Sequence, residues 1–461
     1  MTSFEGRVGW LNLRWSLQAS AKARSITEVE MLAFLSFFLE RHLFFAIIKS
    51  QIEIGGSIMP AVPIKPDIYW VGLNDRITDL FEGLWPITNE GVSYNSYLIN
   101  DEKKAVIDLI KSFKGDEYFA QVDEIIDVSK IDYVIINHME PDHSGLLRTL
   151  RRISPEVIFI GTDKTKKMLD DFYSIRDNVE VVNDGDILSL GKRTLQFFVT
   201  PFLHWPETMM TYETSDRILF SCDAFGGYGA IRGAIFDDDC KDIDFYQKEA
   251  LRYYVNIVAN FSPRVLSAID KLADIPVDVI APSHGLIWRK DPSHVVGLYK
   301  KWAQYALGKT EPGVTLIHGS MYGNTDVVMN AVAQGISGAG VPFDIFDAAR
   351  THVSYILPSL WTKRAVMIGA PTYEVSLFPP MADVLNMAVR KRIKNKKAAY
   401  FGSYGWSGGA LKEMQKIVEP LKWDLMEAFE FQGAPTKNDI KKAEEFGARF
   451  ARAVKKEDWS S

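Results

Sequence analysis

Cysteine is almost missing from the chain: Cys222 and Cys240 are the only two among 461 residues. That scarcity excludes a disulfide scaffold, a thiolate zinc finger and a four-cysteine iron site, and it suits a reducing, cytoplasmic compartment. Long apolar runs are missing too. Met31 to Leu39 and Leu43 to Ile48 are apolar, but Glu40, Arg41 and His42 divide them, and neither is long enough to span a bilayer. No basic start with a small-residue cleavage pattern marks a signal peptide. An excess of positive charge is also lacking: the net charge is -6, which gives no general reason to expect nucleic acid as a partner. What is there is the ordinary material of a soluble globular protein, 47% hydrophobic and 24% charged, in a chain long enough for two to four domains.

Residues 1–58 form an extension of unassigned role. An amphipathic surface or partner-binding helix is one reading, and the favoured one is that translation starts at Met59, where Met-Pro-Ala-Val-Pro leads into a normal domain. The domain reading is then 59–307 and 308–461.

The stretch from Asn137 to Gly145 concentrates chemistry. His138, Glu140, Asp142 and His143 bind hard or borderline metals and fall together. They follow a buried strand, Tyr133–Ile136, and precede an amphipathic helix opened by Ser144 and Gly145. In an extended stretch His138, Glu140 and Asp142 project to one side, and a bend at Pro141 brings His143 round. The ordinary alternative is a polar turn with locally satisfied histidines; four ligand types at this spacing favour a metal site. With no thiolate and two carboxylates, the set suits iron or manganese at least as well as zinc.

Between 60 and 307 short strands alternate with helices in an α+β or layered α/β/α pattern. Strands are predicted at 97–99, 105–109, 133–136, 157–160, 179–182, 195–200, 209–212, 218–221 and 277–280, and helices at 163–172, 242–259, 263–272 and 294–307. His204, Asp223 and His284 each stand just past one of these strands. Strand ends on one edge of a sheet share a face, so the three converge on the first four. Four histidines and three carboxylates are too many for one ion and suit two, bridged by a carboxylate. Cys222 reads as a small buried hydrophobe; Trp205, Phe225 and Tyr228 read as plain packing beside the site, or alternatively as an apolar lid over it.

Beyond a linker at Gly308–Gly313 the pattern becomes strand, loop, helix, five times over: a doubly wound parallel sheet with strands at 314–318, 343–346, 365–368, 397–401 and 425–429 and a closing helix at 437–454. The first loop, Gly319-Ser320-Met321-Tyr322-Gly323-Asn324-Thr325, runs into a helix and offers hydroxyls and N–H groups to a phosphate. It is neither Gly-x-Gly-x-x-Gly nor a Walker loop. Two further loops, containing Pro371, Thr372 and Tyr373, and Ser403, Tyr404, Gly405 and Trp406, add backbone donors and aromatics able to stack on a flat ring. The basic run Arg390 to Lys397 reads as a solvated helix end, or as a dock for an acidic electron donor.

The order His-x-Glu-x-Asp-His, then His204, Asp223 and His284, resembles the metallo-β-lactamase fold in its flavodiiron version, and His204-Trp205-Pro206-Glu207-Thr208-Met209 matches a motif of that family. The three loops resemble flavodoxin. The resemblance covers nearly all of 60–461 and implies an αββα domain followed by a flavodoxin-like domain. It implies that His138, Glu140 and His204 hold one iron and Asp142, His143 and His284 the other, with Asp223 bridging. Ser320, Tyr322, Asn324 and Thr325 would bind the phosphate of FMN, and Thr372, Tyr373, Tyr404 and Trp406 its ring. The hydrolytic zinc members carry a histidine where Glu140 stands. Implied, too, are a reductase of dioxygen or nitric oxide, a separate donor (a rubredoxin-like protein or a reduced deazaflavin) and a head-to-tail dimer or dimer of dimers. Two other readings are a zinc hydrolase fused to flavodoxin and an FMN electron-transfer module with structural metals.

Overall fold

The computed structural model describes residues 60–308 and 310–456; the readings of 1–58 lie outside the described residues. Two sheets face one another in the first half. One has seven strands in the order Val62–Lys65, Ile68–Trp70, Tyr97–Asn100, Lys104–Ile107, Tyr133–Ile135, Ile158–Gly161 and Val179–Val181. The other has five: Ile187–Ser189, Thr194–Val199, Met209–Glu213, Ile218–Cys222 and Val279–Pro282. Alternate residues of both sheets meet in a dry interior, with Trp70, Tyr97, Ile107 and Ile135 packed against Phe197, Met209, Phe220 and Ala281. The outer faces are covered by helices Leu147–Ile153 and Asp163–Tyr173 on one side and Ile243–Tyr253, Ser262–Lys271 and Pro292–Tyr305 on the other. This is the αββα arrangement the resemblance implies.

The sequence pattern missed the small strands between 62 and 94, which run two to four residues and carry little alternation. It also joined what the chain divides. Pro141–Ser144 makes a single helical turn and a separate helix begins at Leu147; Gly145 between them is so tightly held that a Cβ would lie 2.7 Å from the Pro141 carbonyl. The helix predicted at 242–259 ends at Tyr253 and continues as a wider π-turn over Tyr254–Val258.

The second half is a wholly parallel sheet in the order Phe343–Asp347, Glu311–His318, Lys363–Gly369, Lys397–Tyr404 and Asp424–Gln432. In order of appearance that is 2-1-3-4-5, the flavodoxin-like winding. Helices Asn324–Gly338 and Lys437–Lys456 cover one face and pack closely: a Cβ on Gly335 would lie 2.0 Å from the Glu444 carbonyl.

The two halves share a seam. Trp361 donates to the Trp302 carbonyl at 2.9 Å, and Lys391 reaches across to the carbonyl of Asn256. Arg252, 3% exposed, lies between the Tyr228 and Tyr355 rings, pairs with Glu249 at 2.7 Å, and donates to Ser354 Oγ at 2.8 Å. The basic run is therefore not one solvated patch. Lys396 is buried with its amine on the carbonyls of Trp361 and Lys363, Lys391 sits over Trp85, and Lys397 pairs with Asp424, which leaves Arg390, Arg392 and Lys394 exposed.

Replacing Arg252 by methionine is expected to destabilise the protein by about 3–5 kcal/mol, because Glu249 keeps a buried charge without its partner. Urea unfolding of the two proteins side by side measures the difference.

Candidate metal centre and flavin cradle

The strands that carry the acids and imidazoles end together. Ile218–Cys222 runs parallel to Val279–Pro282, and Lys104–Ile107 to Tyr133–Ile135, so their C-terminal ends lie on one edge of the sandwich. Local devices aim the side chains from there. Asp108 accepts the Asn137 N–H at 2.8 Å, and Asn137 accepts the Thr211 hydroxyl at 2.7 Å, which ties the first sheet's loop to the second sheet. Cys222, with φ 54°, twists out of the ladder and delivers Asp223 into the gap.

All seven expected groups meet there. Asp223 lies between two sets. Its Oδ2 is 3.1 Å from His204 Nε2 and 3.6 Å from His138 Nε2, and both imidazoles also approach Glu140, at 3.1 and 3.2 Å. Its Oδ1 is 3.0 Å from His143 Nε2 and 3.4 Å from His284 Nε2, and these two approach Asp142 at 3.5 and 3.3 Å. The expectation that Asp142 faces the same way as His138 and Glu140 is corrected. Pro141 starts a helical turn, so the side-chain period changes from two to 3.6 and Asp142 joins His143 and His284 instead.

Electrostatics describe a pocket in want of cations. Burial acts against charge on His138, but hydrogen bonds to Glu140 and Glu207 and the nearby Asp223 outweigh it and push the imidazole up to about 10. His204 is likewise pushed up to about 10 by Asp223 and Glu140, and His143 to about 9 by Asp142 and Asp223, each against its burial. The same imidazoles hold Glu140 and Asp223 well below the usual carboxylate range, although burial alone would raise both. Even so, both oxygens of Asp142 and of Asp223, both nitrogens of His143, and Nε2 of His204 and His284 are buried without a hydrogen-bond partner. Buried polar atoms in native proteins are partnered, and a cluster of orphaned acceptors of these types fits two metal ions. A third nearby grouping brings in Cys222, but burial pushes its thiol up, which agrees with the reading of a small buried hydrophobe.

Several contributors were not legible in the sequence. Glu207 Oε1 lies 2.7 Å from His138 Nδ1 and accepts the Met139 N–H at 3.0 Å; the motif displayed the residue without its task. Ser93 O plays the same part for His284 Nδ1 at 2.7 Å. Glu82 is exposed as a residue, but its carboxyl end sinks toward Glu140; burial first and then Glu140 push it up to about 7. The lid is also corrected. Trp205 does meet His138 edge-on at 5.1 Å, but Phe225 packs on Tyr299 and Tyr228 on Tyr253, inside the core. Phe81, Tyr94 and Tyr253 are the rings that surround His284.

The three loops of the parallel sheet also come together, at adjacent strand ends beside the point where strand order reverses. Gly323, φ 89°, lets helix Asn324–Gly338 start with its N–H groups open. Ser320 Oγ accepts the Gly323 N–H at 3.0 Å, and Thr325 Oγ1 lies 3.2 Å from Ser403 Oγ. Gly405 is held through its carbonyl by Gln432, Pro371 is buried, and Thr372 Oγ1 accepts the Ala410 N–H. Tyr322 and Trp406 are 91% and 87% exposed, and Met321, Tyr373 and a half-buried Tyr404 lie in the same loops. Aromatics standing free around a helix N-terminus fit a flat ring carrying a phosphate.

Known proteins match along the same lines. Residues 92–285 match the family model described as ODP family beta lactamase, and residues 316–447 match Flavodoxin. The anaerobic nitric oxide reductase flavorubredoxin of Escherichia coli is 34% identical over 398 residues, covering 85% of this chain and 82% of that protein. Among solved structures, rubredoxin oxygen:oxidoreductase from Desulfovibrio gigas superposes with a TM-score of 0.80 at 29% identity, covering 86% of this chain and 98% of its own. The flavodiiron protein from Giardia intestinalis gives 0.80 at 28%, covering 87% and 98%. With an αββα sandwich that gathers the acids and imidazoles, a flavodoxin-like sheet behind it and relatives spanning both, the chain belongs to the flavodiiron family.

Proposed function

We propose that the chain is an oxidoreductase that passes electrons from FMN to a diiron centre, where dioxygen is reduced to water or nitric oxide to nitrous oxide. Residues 59–307 form the diiron unit and 308–461 the flavin unit. His138, Glu140 and His204 hold one iron, Asp142, His143 and His284 the other, and Asp223 serves both. The observation that carries this reading is the Asp223 carboxylate, whose two oxygens face two different sets of one acid and two imidazoles.

When bound, the flavin takes up electrons singly or in pairs, and the metal pair binds a small diatomic and supplies the electrons that reduce it. The chain's own groups prepare that chemistry. Glu207 accepts the proton on His138 Nδ1, and Ser93 O the one on His284 Nδ1, so both rings present Nε2 inward in one tautomer. Phe81, Tyr94, Tyr253 and Trp205 line the pocket with rings and exclude water from it. Ser320, Met321, Tyr322, Gly323, Asn324 and Thr325 cradle the phosphate, and Pro371, Thr372, Tyr373, Ser403, Tyr404, Gly405 and Trp406 flank the ring. Electrons arrive from a separate donor, a rubredoxin-like protein or a reduced deazaflavin, and the working assembly is a head-to-tail dimer or dimer of dimers. Glu140 argues against the zinc hydrolase reading, since a further carboxylate favours ions that must visit oxidised states.

The direct test is anaerobic reduction of the purified protein followed by timed addition of each gas, with iron and FMN quantified per chain. Uptake of at least one gas with bound iron and FMN is expected. Zinc in a colourless protein overturns the reading, and so does a reduced protein that consumes neither gas.

Glu207→Gln is expected to weaken metal retention about 10–100-fold while the fold is kept, because His138 loses the group that orients it. Iron content after dialysis against a chelator measures this.

The metal-free protein has its own pH signature. Unfolded histidines titrate near about 6.5, whereas His138, His143 and His204 are raised to about 10, 9 and 10. The stability carried by their protons is complete below the unfolded value and is lost as pH rises through the folded ones. Glu140 and Asp223, held low, contribute above the ordinary carboxylate range and lose that contribution as pH falls. Chelated protein is therefore expected to lose its unfolding midpoint steadily from about pH 7 to 10, and metal-loaded protein is not, since metal replaces those protons.

A further inference from the structure

Strand Glu311–His318 sends alternate side chains to opposite faces of its sheet. Val314 and Leu316 enter the core beneath helix Asn324–Gly338 and Ile317 the core on the other side, so His318 lies on the helix side. There its Nδ1 is 2.9 Å from Asp326 Oδ1, and the residue is 8% exposed. Asp326 stands in the first turn of that helix, at the end whose N–H groups face the cradle from Ser320 to Thr325. An acid in the first turn steadies a helix by itself. It also competes with any phosphate that uses the same helix end, because two negative groups then share one set of donors.

We propose that His318 is a positioning residue for the flavin phosphate. Its hydrogen bond ties the Asp326 carboxylate to the strand end and engages one of its oxygens, so that the acid competes less with a phosphate for the N–H groups of the helix. The inference rests on the reading that these loops hold FMN. On the neighbouring strand Asp347 stands opposite His318, and it is engaged by the Ala349 N–H at 2.9 Å and by Arg350 at 3.4 Å. The strand on the other side brings only Gly369 opposite His318. The flavin ring, which lacks the phosphate's charge, is indifferent to the bond between His318 and Asp326.

The experiment follows flavin release on dilution of full-length holoprotein, read by fluorescence at one fixed pH. FMN is compared with riboflavin exchanged into the same site, in wild type, His318→Gln, Asp326→Asn and the double variant. The phosphate takes its own second proton near about pH 6 in every variant, so ratios to wild type isolate the protein's part. His318→Gln is expected to loosen FMN by about five- to tenfold and to leave riboflavin unchanged. Asp326→Asn is expected to hold FMN at least as tightly as wild type and to make the His318 replacement silent. Equal loosening of FMN and riboflavin overturns the inference, as does a His318→Gln protein that matches wild type. If His318→Gln does not fold, Asp326→Asn decides, since looser FMN in that variant overturns it too. Wild-type protein that holds no FMN at all defeats the reading of the loops instead.

Discussion

A buried carboxylate approached by four imidazoles is the constraint on which the sandwich depends. Asp223 is 1% exposed, and neither of its oxygens has a hydrogen-bond partner, while His138, His143, His204 and His284 all approach within 3.6 Å. Three acids cannot be buried together unless positive charge comes with them. Without metal, protons on the imidazoles supply part of that charge, which is why those rings hold protons so far above their ordinary range. Much of the surrounding fold serves to keep the cluster from relaxing. Asn137 joins the two sheets, Asp108 fixes the loop behind His138, and a shell of rings prevents His284 from turning out to water.

What was legible in the sequence follows the range of the interactions. His138, Glu140, Asp142 and His143 are close in the chain, and their chemical type alone marks them. His204, Asp223 and His284 could be added because each stands just past a β-branched or aromatic run whose end is predictable. The parallel sheet is readable for the same reason: its three central strands carry apolar runs, its edge strands mix apolar and acidic residues, and its loops hold the glycines and hydroxyls. The groups that could not be read are those whose role is made by contact across the fold. Glu82 and Phe81 lie in a hairpin of two-residue strands with no periodicity, and nothing local connects them to Glu140 or His284. Glu207 was visible as a letter in a motif, but its bond to His138 spans 69 residues.

The misreadings share a cause. The strand's period would turn Asp142 toward His138, but Pro141 has begun a helical turn one residue earlier, and the grouping with His143 and His284 that the resemblance implies is the one found. Nearness to Asp223 in the chain makes Phe225 and Tyr228 lid candidates, yet the chain turns inward there and the plain-packing alternative holds, on Tyr299 and Tyr253. The basic run was treated as one surface, although two of its lysines are spent inside the protein, on the carbonyls of Asn256, Trp361 and Lys363. In each case a property of neighbours in sequence was extended to residues that the backbone sends elsewhere.

The identity of residue 140 then bears on the chemistry through charge balance. In the proposed assignment each metal receives two imidazoles and one acid of its own, with Asp223 divided between them. The acid and histidine sets are equal on both sides, as are the contacts to Asp223, at 3.1 and 3.6 Å on one oxygen and 3.0 and 3.4 Å on the other. A histidine at position 140 would leave one side with three neutral ligands and the other with a net negative set, which separates the two sites in affinity and in potential. Equal halves suit two like ions that change oxidation state together, because the field that stabilises the oxidised form is the same for both. Asymmetric halves suit a pair in which one ion binds and the other activates water. Glu140 decides between these two kinds of site by adding one negative charge to the half that would otherwise lack it.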